Sequence, residues 1–472
     1  MHSDNQPGRL PAGARGTAYV VLVSLVAAMG GLLFGYDWVV IGGAKPFFEK
    51  YFAVTSAEQS GWANSCALAG CLLGSVISGV LSDRFGRKKL LVASAALFAV
   101  SSVGTGWAYQ FRVFVGWRIL GGVAIGMASN LSPLYIAEVA PARLRGRLVA
   151  MNQLTIVVGI LAAQLVNWLI ARDCPNDATA EMIRASWYGQ YAWRWMFTAV
   201  AAPSLLFFVC AFFVPESPRW LVKSGCHPLA ERVLAGLHGA EHARAELENI
   251  QATLASEEIA RVRFSDLLER RMREILLVGC TLAVLQQWSG INVIFNYAEE
   301  IFQQAHYGVR DILFNIVITG SVNLAFTCIA LGTVDWLGRR SLMLLGCAGI
   351  AASHLLVGAA YRLGMKGGFV LVFTLAAIGC YAMSLAPVTW VLISEIFPNR
   401  IRGAAVSVAV SALWISCFLL TYTFPLLKET MGVANTFWVY AAICGTGLVF
   451  VWLKVPETKG KALEDIEREL AD

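Results

Sequence analysis

Charge is scarce in this chain. Of its 472 residues only 14% are Asp, Glu, Lys or Arg, where a soluble domain carries about a quarter. That deficit, beside 57% hydrophobic residues and 43 glycines, excludes an ordinary soluble globular fold. Period-two alternation with regular turn signals is missing, which argues against a membrane β-barrel. No CxxC spacing or His cluster marks a metal site. The 11 cysteines are scattered, mostly in apolar stretches where they serve as small fillers. Cys174 alone is expected on the outer face, so no external disulfide is expected within one chain. A nucleophile–base pair, a nucleotide-binding loop and a cofactor motif are all lacking, so neither an enzyme nor a bound cofactor is expected.

What the chain does have is apolar runs of spanning length. A membrane helix needs roughly 20 mostly apolar residues, and twelve such runs are centred near Ala28, Gly70, Ala99, Ala128, Gly159, Phe207, Leu285, Asn323, Ile350, Ala382, Trp414 and Gly445. The expected fold class is an all-α membrane protein of twelve transmembrane helices. The first run follows a polar tail with Arg9 and Arg15 and lacks a small-residue cleavage pattern, so it reads as a retained helix and not a signal peptide. With the N-terminus inside, 26 of the 37 Lys and Arg residues fall on the inner side and 8 on the outer; Arg112, Arg118 and Arg194 lie in or near spans. The positive-inside rule then places both termini in the cytoplasm of a plasma (inner) membrane protein. The net charge of +6 reflects this bias and gives no reason to expect nucleic acid.

The two halves echo each other. Asp83-Arg84-Phe85-Gly86-Arg87-Lys88 matches Asp335-Trp336-Leu337-Gly338-Arg339-Arg340. Glu138 stands seven residues before Arg145, and Glu395 seven before Arg402. Pro215-Glu216-Ser217 corresponds to Pro456-Glu457-Thr458. Offsets of 252, 257 and 241 residues describe a duplication with drifted loops. The expected organisation is a tail (1–16), a six-helix bundle (17–214), a charged cytoplasmic linker (215–273), a second six-helix bundle (274–455) and a tail (456–472). Two bundles repeated about an axis along the membrane normal place a binding site between them. In the linker, Leu229, Val233 and Leu237 recur at helical spacing, as do Leu247, Ile250 and Leu254, which predicts short amphipathic helices on the cytoplasmic face.

The paired Asp-x-x-Gly-Arg-Arg/Lys loops, Pro215-Glu216-Ser217-Pro218-Arg219-Trp220, Gln286-Gln287-x-x-Gly290-Ile291-Asn292 and Pro456-Glu457-Thr458-Lys459-Gly460 together resemble the sugar porter family of the major facilitator superfamily. That family includes bacterial xylose–proton and glucose–proton symporters and facilitative glucose carriers. The resemblance covers nearly the whole chain beyond the first fifteen or so residues.

The residues suit a sugar on their own terms. Each pyranose hydroxyl donates and accepts, and carboxamides supply both functions without the desolvation cost of a charge. Gln286, Gln287 and Asn292 are therefore substrate-binding candidates, with Asn296 one turn further on. On a straight helix Gln286 and Asn292 lie about 120° apart, but a kink at Ser289-Gly290 would let both reach one cavity. The alternative for these residues is interhelical hydrogen-bond glue. Trp390 and Trp414, both expected well inside, offer an indole face and an N–H to a sugar. The resemblance adds Asn323 and Gln164. It also exposes departures. Ile160 stands where xylose symporters carry Gln, and Leu413 where the family often has Gln or Asn. Val200 occupies the position of a sixth-span Glu of xylose symporters.

Asp37, in Phe34-Gly35-Tyr36-Asp37, is an ionisable group inside a span and so a functional candidate by default; Arg118 is its expected partner. In the family's proton symporters the Asp of this motif titrates. Protonation would loosen Asp37 from Arg118, a two-state element suited to coupling. Asp83, Arg87, Glu138, Arg145, Asp335, Arg339, Glu395 and Arg402 are expected as a cytoplasmic gate whose ion pairs link the halves. The resulting expectation is a secondary active transporter that imports a monosaccharide by proton symport and alternating access. Its partners would be the sugar, a proton and the lipid bilayer, and such a bundle can act as a monomer. Rival readings are a proton-independent uniporter, a non-transporting sugar sensor and a drug–proton exporter.

Overall fold

A computed structural model describes residues 12–175, 180–259, 270–304, 307–365, 367–397 and 402–459. Among the described residues every regular element is helical. Eleven helical stretches are long and apolar enough to cross a membrane. The last, Ala404–Lys454, has 51 residues, about 75 Å at 1.5 Å per residue, more than twice the apolar thickness of a bilayer, roughly 30 Å. Gly432, with φ 80° and ψ 162°, divides it into two helices. The chain thus makes twelve crossings.

Spans 1 to 5 are Ala12–Tyr51, Ala57–Phe85, Arg87–Gly106, Phe111–Val139 and Ala142–Ala171. Span 6 runs over Tyr188–Ala211. Span 7 joins Arg270–Trp288 to Ile291–Asn296, and spans 8 and 9 are Val309–Leu337 and Arg339–Arg362. Span 10 joins Gly367–Met383 to Leu385–Ile396, and spans 11 and 12 share Arg402–Lys454. An even number of crossings returns the chain to the end of the bundle where it began, here called the terminal end; the opposite one is the far end.

Lipid supplies no hydrophobic force to press helices together, so close packing must do it. Spans 2 and 4 show how. Gly70 and Gly74 lie against the backbone of Ile119 and Val123, and Gly122 and Gly126 lie reciprocally against Ala67 and Cys71. A Cβ at any of the four would overlap the facing carbonyl, so two small-x-x-x-small faces bring the backbones into contact.

The internal repeat is reproduced atom by atom at the terminal end. Gly86 and Gly338 both adopt positive φ, 92° and 87°, and each ends one helix and begins the next. The Glu216 carboxylate accepts from the backbone N–H groups of Arg87 and Lys88 at 2.8 and 3.1 Å. Glu457 does the same for Arg339 and Arg340 at 2.9 and 3.1 Å. A carboxylate on the first free N–H groups of a helix satisfies them and complements the helix dipole.

Between spans 6 and 7 lie Pro218–Lys223, His227–His238 and Ala240–Ile259, helices that gather around buried Leu221, Val222 and Ala230 with Val233, Leu247, Ile250 and Leu254 packed against them. Leu229 departs from its expected stripe and is 45% exposed. The set docks on the first half through the Trp220 indole N–H to the Asp83 carbonyl (2.9 Å) and the His238 ring to the Val139 carbonyl (3.1 Å). Residues 260–269 of the expected linker lie outside the described residues.

Candidate functional site

Span 7 breaks where the sequence suggested. Gly290 takes φ 83° and ψ −2°, left-handed geometry that glycine adopts at no steric cost. The break lets residues on both sides meet. Asn292 Nδ2 donates back to Gln287 Oε1 and approaches Cys417 Sγ of span 11 at 3.4 Å. Gln287 Nε2 donates to Gln286 Oε1 at 3.3 Å, and Gln286 Nε2 to the carbonyls of Leu385 and Ala386 at 3.1 and 3.2 Å. The result is a continuous row of amides from span 10 through span 7 to span 11. All three carboxamides are buried yet uncharged, so their spare capacity is donor and acceptor in kind, the requirement of a polyol. Asn296 is also buried, at the far-end side, with its Oδ1 unpartnered.

Gln164 of span 5 crosses to span 8, where its Oε1 occupies the space a Cβ on Gly320 would take. It is 1% exposed, and neither Oε1 nor Nε2 has a partner. Asn323, three residues beyond Gly320 and hence on a neighbouring face of span 8, is buried as well. Trp414 of span 11 packs against Phe34 and Trp38 of span 1 with ring centroids 5.9 and 6.1 Å away, and its indole N–H is unpartnered. Trp390, expected well inside the membrane like Trp414, differs from it in burial and is 39% exposed. The reason is helical phase: Leu385, Val388, Leu392, Ile393 and Ile396 form the buried stripe of this segment, and Trp390 falls off it. The departures Ile160, Leu413 and Val200 are buried apolar side chains, Ile160 within a cluster that includes Ile291 and Ile294 of the broken helix.

In the first half, Arg118 Nη1 donates to Asp37 Oδ1 at 2.9 Å, and Nη2 approaches the Asp37 carbonyl at 3.4 Å. Both side chains are buried, at 6% and 3% exposure. Asp37 Oδ2 and Arg118 Nε remain without partners. The guanidinium lies over the Phe197 ring, 5.2 Å from its centroid. The pair is monodentate: one carboxylate oxygen holds the arginine and the other has no protein partner.

In this structure the described gate residues pair within each half. Arg87 grips Glu138 through Nε and Nη2, both at 3.0 Å, and Ser217 Oγ donates to the same carboxylate at 2.5 Å. In the second half Arg339 Nη2 meets Glu395 at 3.4 Å and Thr458 Oγ1 donates to it at 2.6 Å. Asp83, half-exposed, pairs with Arg87 (3.3 Å) and Lys223 (2.8 Å). These described pairs lie within one half each, where each carboxylate closes the loop of its own repeat; a latch that joins the halves only while the inside is shut is expected to be parted in such an arrangement. Arg145 is exposed; the side chains of Asp335 and Arg402 lie outside the described residues.

Among the described residues, ion pairs that join the two halves lie at the far end, and the sequence reading missed them. Lys45 of span 1, 2% exposed, reaches Glu300 at 2.5 Å, Glu299 at 3.5 Å and its own helix neighbour Glu49 at 3.0 Å. Lys428 also pairs with Glu300, and Ser60 Oγ donates to Glu49 at 2.6 Å. Glu299 and Glu300 sit in Ala298–Gln304, directly after span 7. Beside this cluster Gly42 of span 1 faces the Phe295 carbonyl and Gly61 of span 2 faces the Tyr422 carbonyl, each 2.5 Å from where a Cβ would stand. A lysine inside an apolar span and two adjacent glutamates after another were the signals available in the sequence.

Comparison with known proteins follows the same lines. Residues 23–470 match the family described as "Sugar (and other) transporter". The "Glucose transport protein" of Synechocystis is 39% identical over 99% of this chain and 100% of its own length. The "D-xylose-proton symporter" of Escherichia coli is 37% identical over 96% of each chain, and the "Arabinose-proton symporter" of Bacillus subtilis 37% over 95% of each. Among solved structures, the xylose transporter of Escherichia coli in a partially occluded inward-open conformation superposes with a TM-score of 0.83 at 35% identity, covering 94% of this chain and 100% of that one. The same transporter bound to 6-bromo-6-deoxy-D-glucose gives 0.78, with 96% and 100% covered.

Proposed function

The chain belongs to the sugar transporter family of the major facilitator superfamily, and from that premise we propose that it imports a monosaccharide with a proton by alternating access. The family is one of carriers and not of enzymes. The substrate is a hexose or pentose such as glucose or xylose. The observation that carries this reading is the uncharged row Gln286–Gln287–Asn292 set across the break in span 7. Gln164, Asn323 and Trp414 supply further contacts from spans 5, 8 and 11, and Trp390 an exposed indole from span 10.

Proton coupling is assigned to Asp37, with Arg118 as its partner. When Asp37 takes a proton on Oδ2, its attraction for Arg118 falls and the two helices that carry them are free to shift. One charge moving through 100 mV supplies about 2.3 kcal/mol, roughly fifty-fold accumulation. In the plasma membrane both termini face the cytoplasm and the far end faces outside, consistent with the Lys and Arg bias. The Lys45–Glu300 pair then closes the outer side, an arrangement that accords with the likeness to an inward-open transporter.

The test is uptake of a labelled monosaccharide panel into vesicles with and without an imposed pH gradient. Uphill uptake that depends on an inward proton gradient is expected. Asp37→Asn should abolish it while sugar counterflow survives. A mutant that still concentrates sugar under the gradient removes Asp37 from the coupling role, and gradient-independent equilibration by the native protein makes it a uniporter.

A further inference from the structure

The break in span 7 disturbs the helix ladder: the Gln286 carbonyl accepts from its own helix's Ser289 hydroxyl at 2.8 Å, and the Ser289 carbonyl loses its helical donor. In an unbroken helix the N–H of Val293 would bond the Ser289 carbonyl four residues back. Here Val293 donates to Gly290 instead, at 3.2 Å, sharing that carbonyl with its regular helical donor Ile294 at 3.4 Å. The Ser289 carbonyl is deep in the protein, where an unmet acceptor is costly. A side chain from another span meets it: His354 Nε2, on span 9, lies 2.7 Å from that oxygen. A carbonyl only accepts, so Nε2 carries the proton in this bond. Cys444 Sγ of span 12 lies 3.8 Å from the same oxygen.

His354 is fully buried, and its ring is fixed in orientation by Phe437 and Tyr440 of span 12, with centroids 5.4 and 6.2 Å away. Tyr440 and His354 also wall the break itself. A Cβ on Gly290 would stand 2.9 Å from Tyr440 Cδ2 and 3.1 Å from His354 Nε2. Spans 9 and 12 therefore clasp the turn. Gln286 and Gln287 precede the clasped carbonyl by three and two residues, and Asn292 follows it by three.

We propose that His354 is a positioning residue for the sugar site. By donating to the Ser289 carbonyl it holds the break in span 7 and sets the angle at which Asn292 faces Gln286 and Gln287. It does so without touching the sugar. The assignment rests on the reading of those amides as sugar ligands, but its mechanical half does not.

Two measurements test it on the purified full-length protein, one needing no substrate. The first is backbone hydrogen exchange of residues 290–296 in the absence of sugar. The second is equilibrium binding and transport kinetics with the tightest-binding sugar of the panel. His354→Met keeps volume and removes the donor; His354→Gln keeps an N–H of similar reach. H354M should raise exchange across 290–296 and raise both Kd and KM roughly ten-fold, the scale of one buried acceptor left unmet, with kcat within about two-fold. H354Q should restore both. Should H354M fail to insert, H354N, whose shorter amide cannot reach Ser289, provides the same comparison. Unchanged exchange, a fall in kcat at constant KM, or a Gln variant indistinguishable from the Met variant overturns the proposal. If the native protein binds no sugar in the panel, the transport reading fails, and exchange alone then decides whether His354 holds the break.

Discussion

Lys45 Nζ lies 2.5 Å from Glu300 Oε1, and this bond joins residues 255 positions apart on opposite halves of the molecule. Both side chains are more than nine-tenths buried. A charge buried without partners is far more costly than one paired, so the lysine holds the halves together only while its carboxylates stay in place. Lys45→Met removes the cation that Glu49, Glu299 and Glu300 share and leaves them with Lys428 and Lys50. Breaking a buried pair costs about 3–5 kcal/mol, enough to move the balance between far-end-closed and far-end-open states by more than about a hundred-fold. Spin labels at exposed Gln59 and Glu429, one on each half, should report a longer distance in the mutant. An unchanged distance distribution removes Lys45 from the outer latch.

The two glutamates should respond in opposite directions. Burial pushes the Glu299 carboxyl above its ordinary value, and Lys45 and Lys50 only partly offset this. Burial also opposes the charge on Glu300, but Lys45 and Lys428 outweigh it and hold that carboxyl below the ordinary value. A lowered carboxyl supports the closed arrangement fully above its ordinary value of 4.5, and that support fades as pH falls through the lowered one. A raised carboxyl supports closure fully below 4.5 and loses it as pH rises through the raised value. At neutral pH Glu300 thus favours closure and Glu299 opposes it. Glu300→Gln should lengthen the spin-label distance and Glu299→Gln should shorten or sharpen it. Acidifying the outer side toward 4.5 should tighten the native protein and leave E299Q unmoved. Equal responses from the two mutants would contradict this.

These relationships mark where sequence reading stopped. The twelve spans were legible because a bilayer imposes length and apolarity on each segment independently. The duplication was legible because the same glycine and glutamate must recur to turn one helix into the next, as Gly86 with Glu216 and Gly338 with Glu457 do. The kink at Ser289-Gly290 could be read from local chemistry. Pairing could not: Arg87 and Glu138 close one repeat, whereas a pattern of charges at span ends fits a link between halves equally well. Trp390 and Trp414 look alike in sequence, and only the phase of the segment after Ser384 separates the exposed indole from the buried one. His354 carries no signal of its role until the free carbonyl of Ser289 is seen beside it.

The within-half pairs should govern stability and not sidedness. Arg87 and Glu138 form a two-contact pair with side chains 8% and 6% exposed. Arg339 and Glu395 make a longer contact at 15% and 26%. Glu138→Ala should therefore lower unfolding stability in detergent by about 3–5 kcal/mol, and Glu395→Ala by about 1 kcal/mol. Neither should alter the spin-label distance at the far end. A shift in that distance for Glu395→Ala would make Glu395 part of a latch between the halves at the terminal end.

Gln164 poses the sharpest conflict between folding and binding. It is 1% exposed and makes no hydrogen bond through either end of its amide. Each buried polar atom left unmet costs about 1–3 kcal/mol, and two occur on one side chain. A protein selected for stability alone would place an apolar group there, as it does with buried Ile160 one turn earlier on the same span. The amide is explained if a sugar hydroxyl meets it during transport, since the unfavourable empty state then increases the gain on binding. Gln164→Met keeps the length and removes both polar atoms. The expected result is a higher unfolding temperature without sugar, together with roughly ten-fold weaker sugar binding and a smaller thermal shift on adding sugar. A mutant that loses stability shows that the amide has structural partners, and one that gains stability at unchanged affinity shows that Gln164 does not contact the sugar.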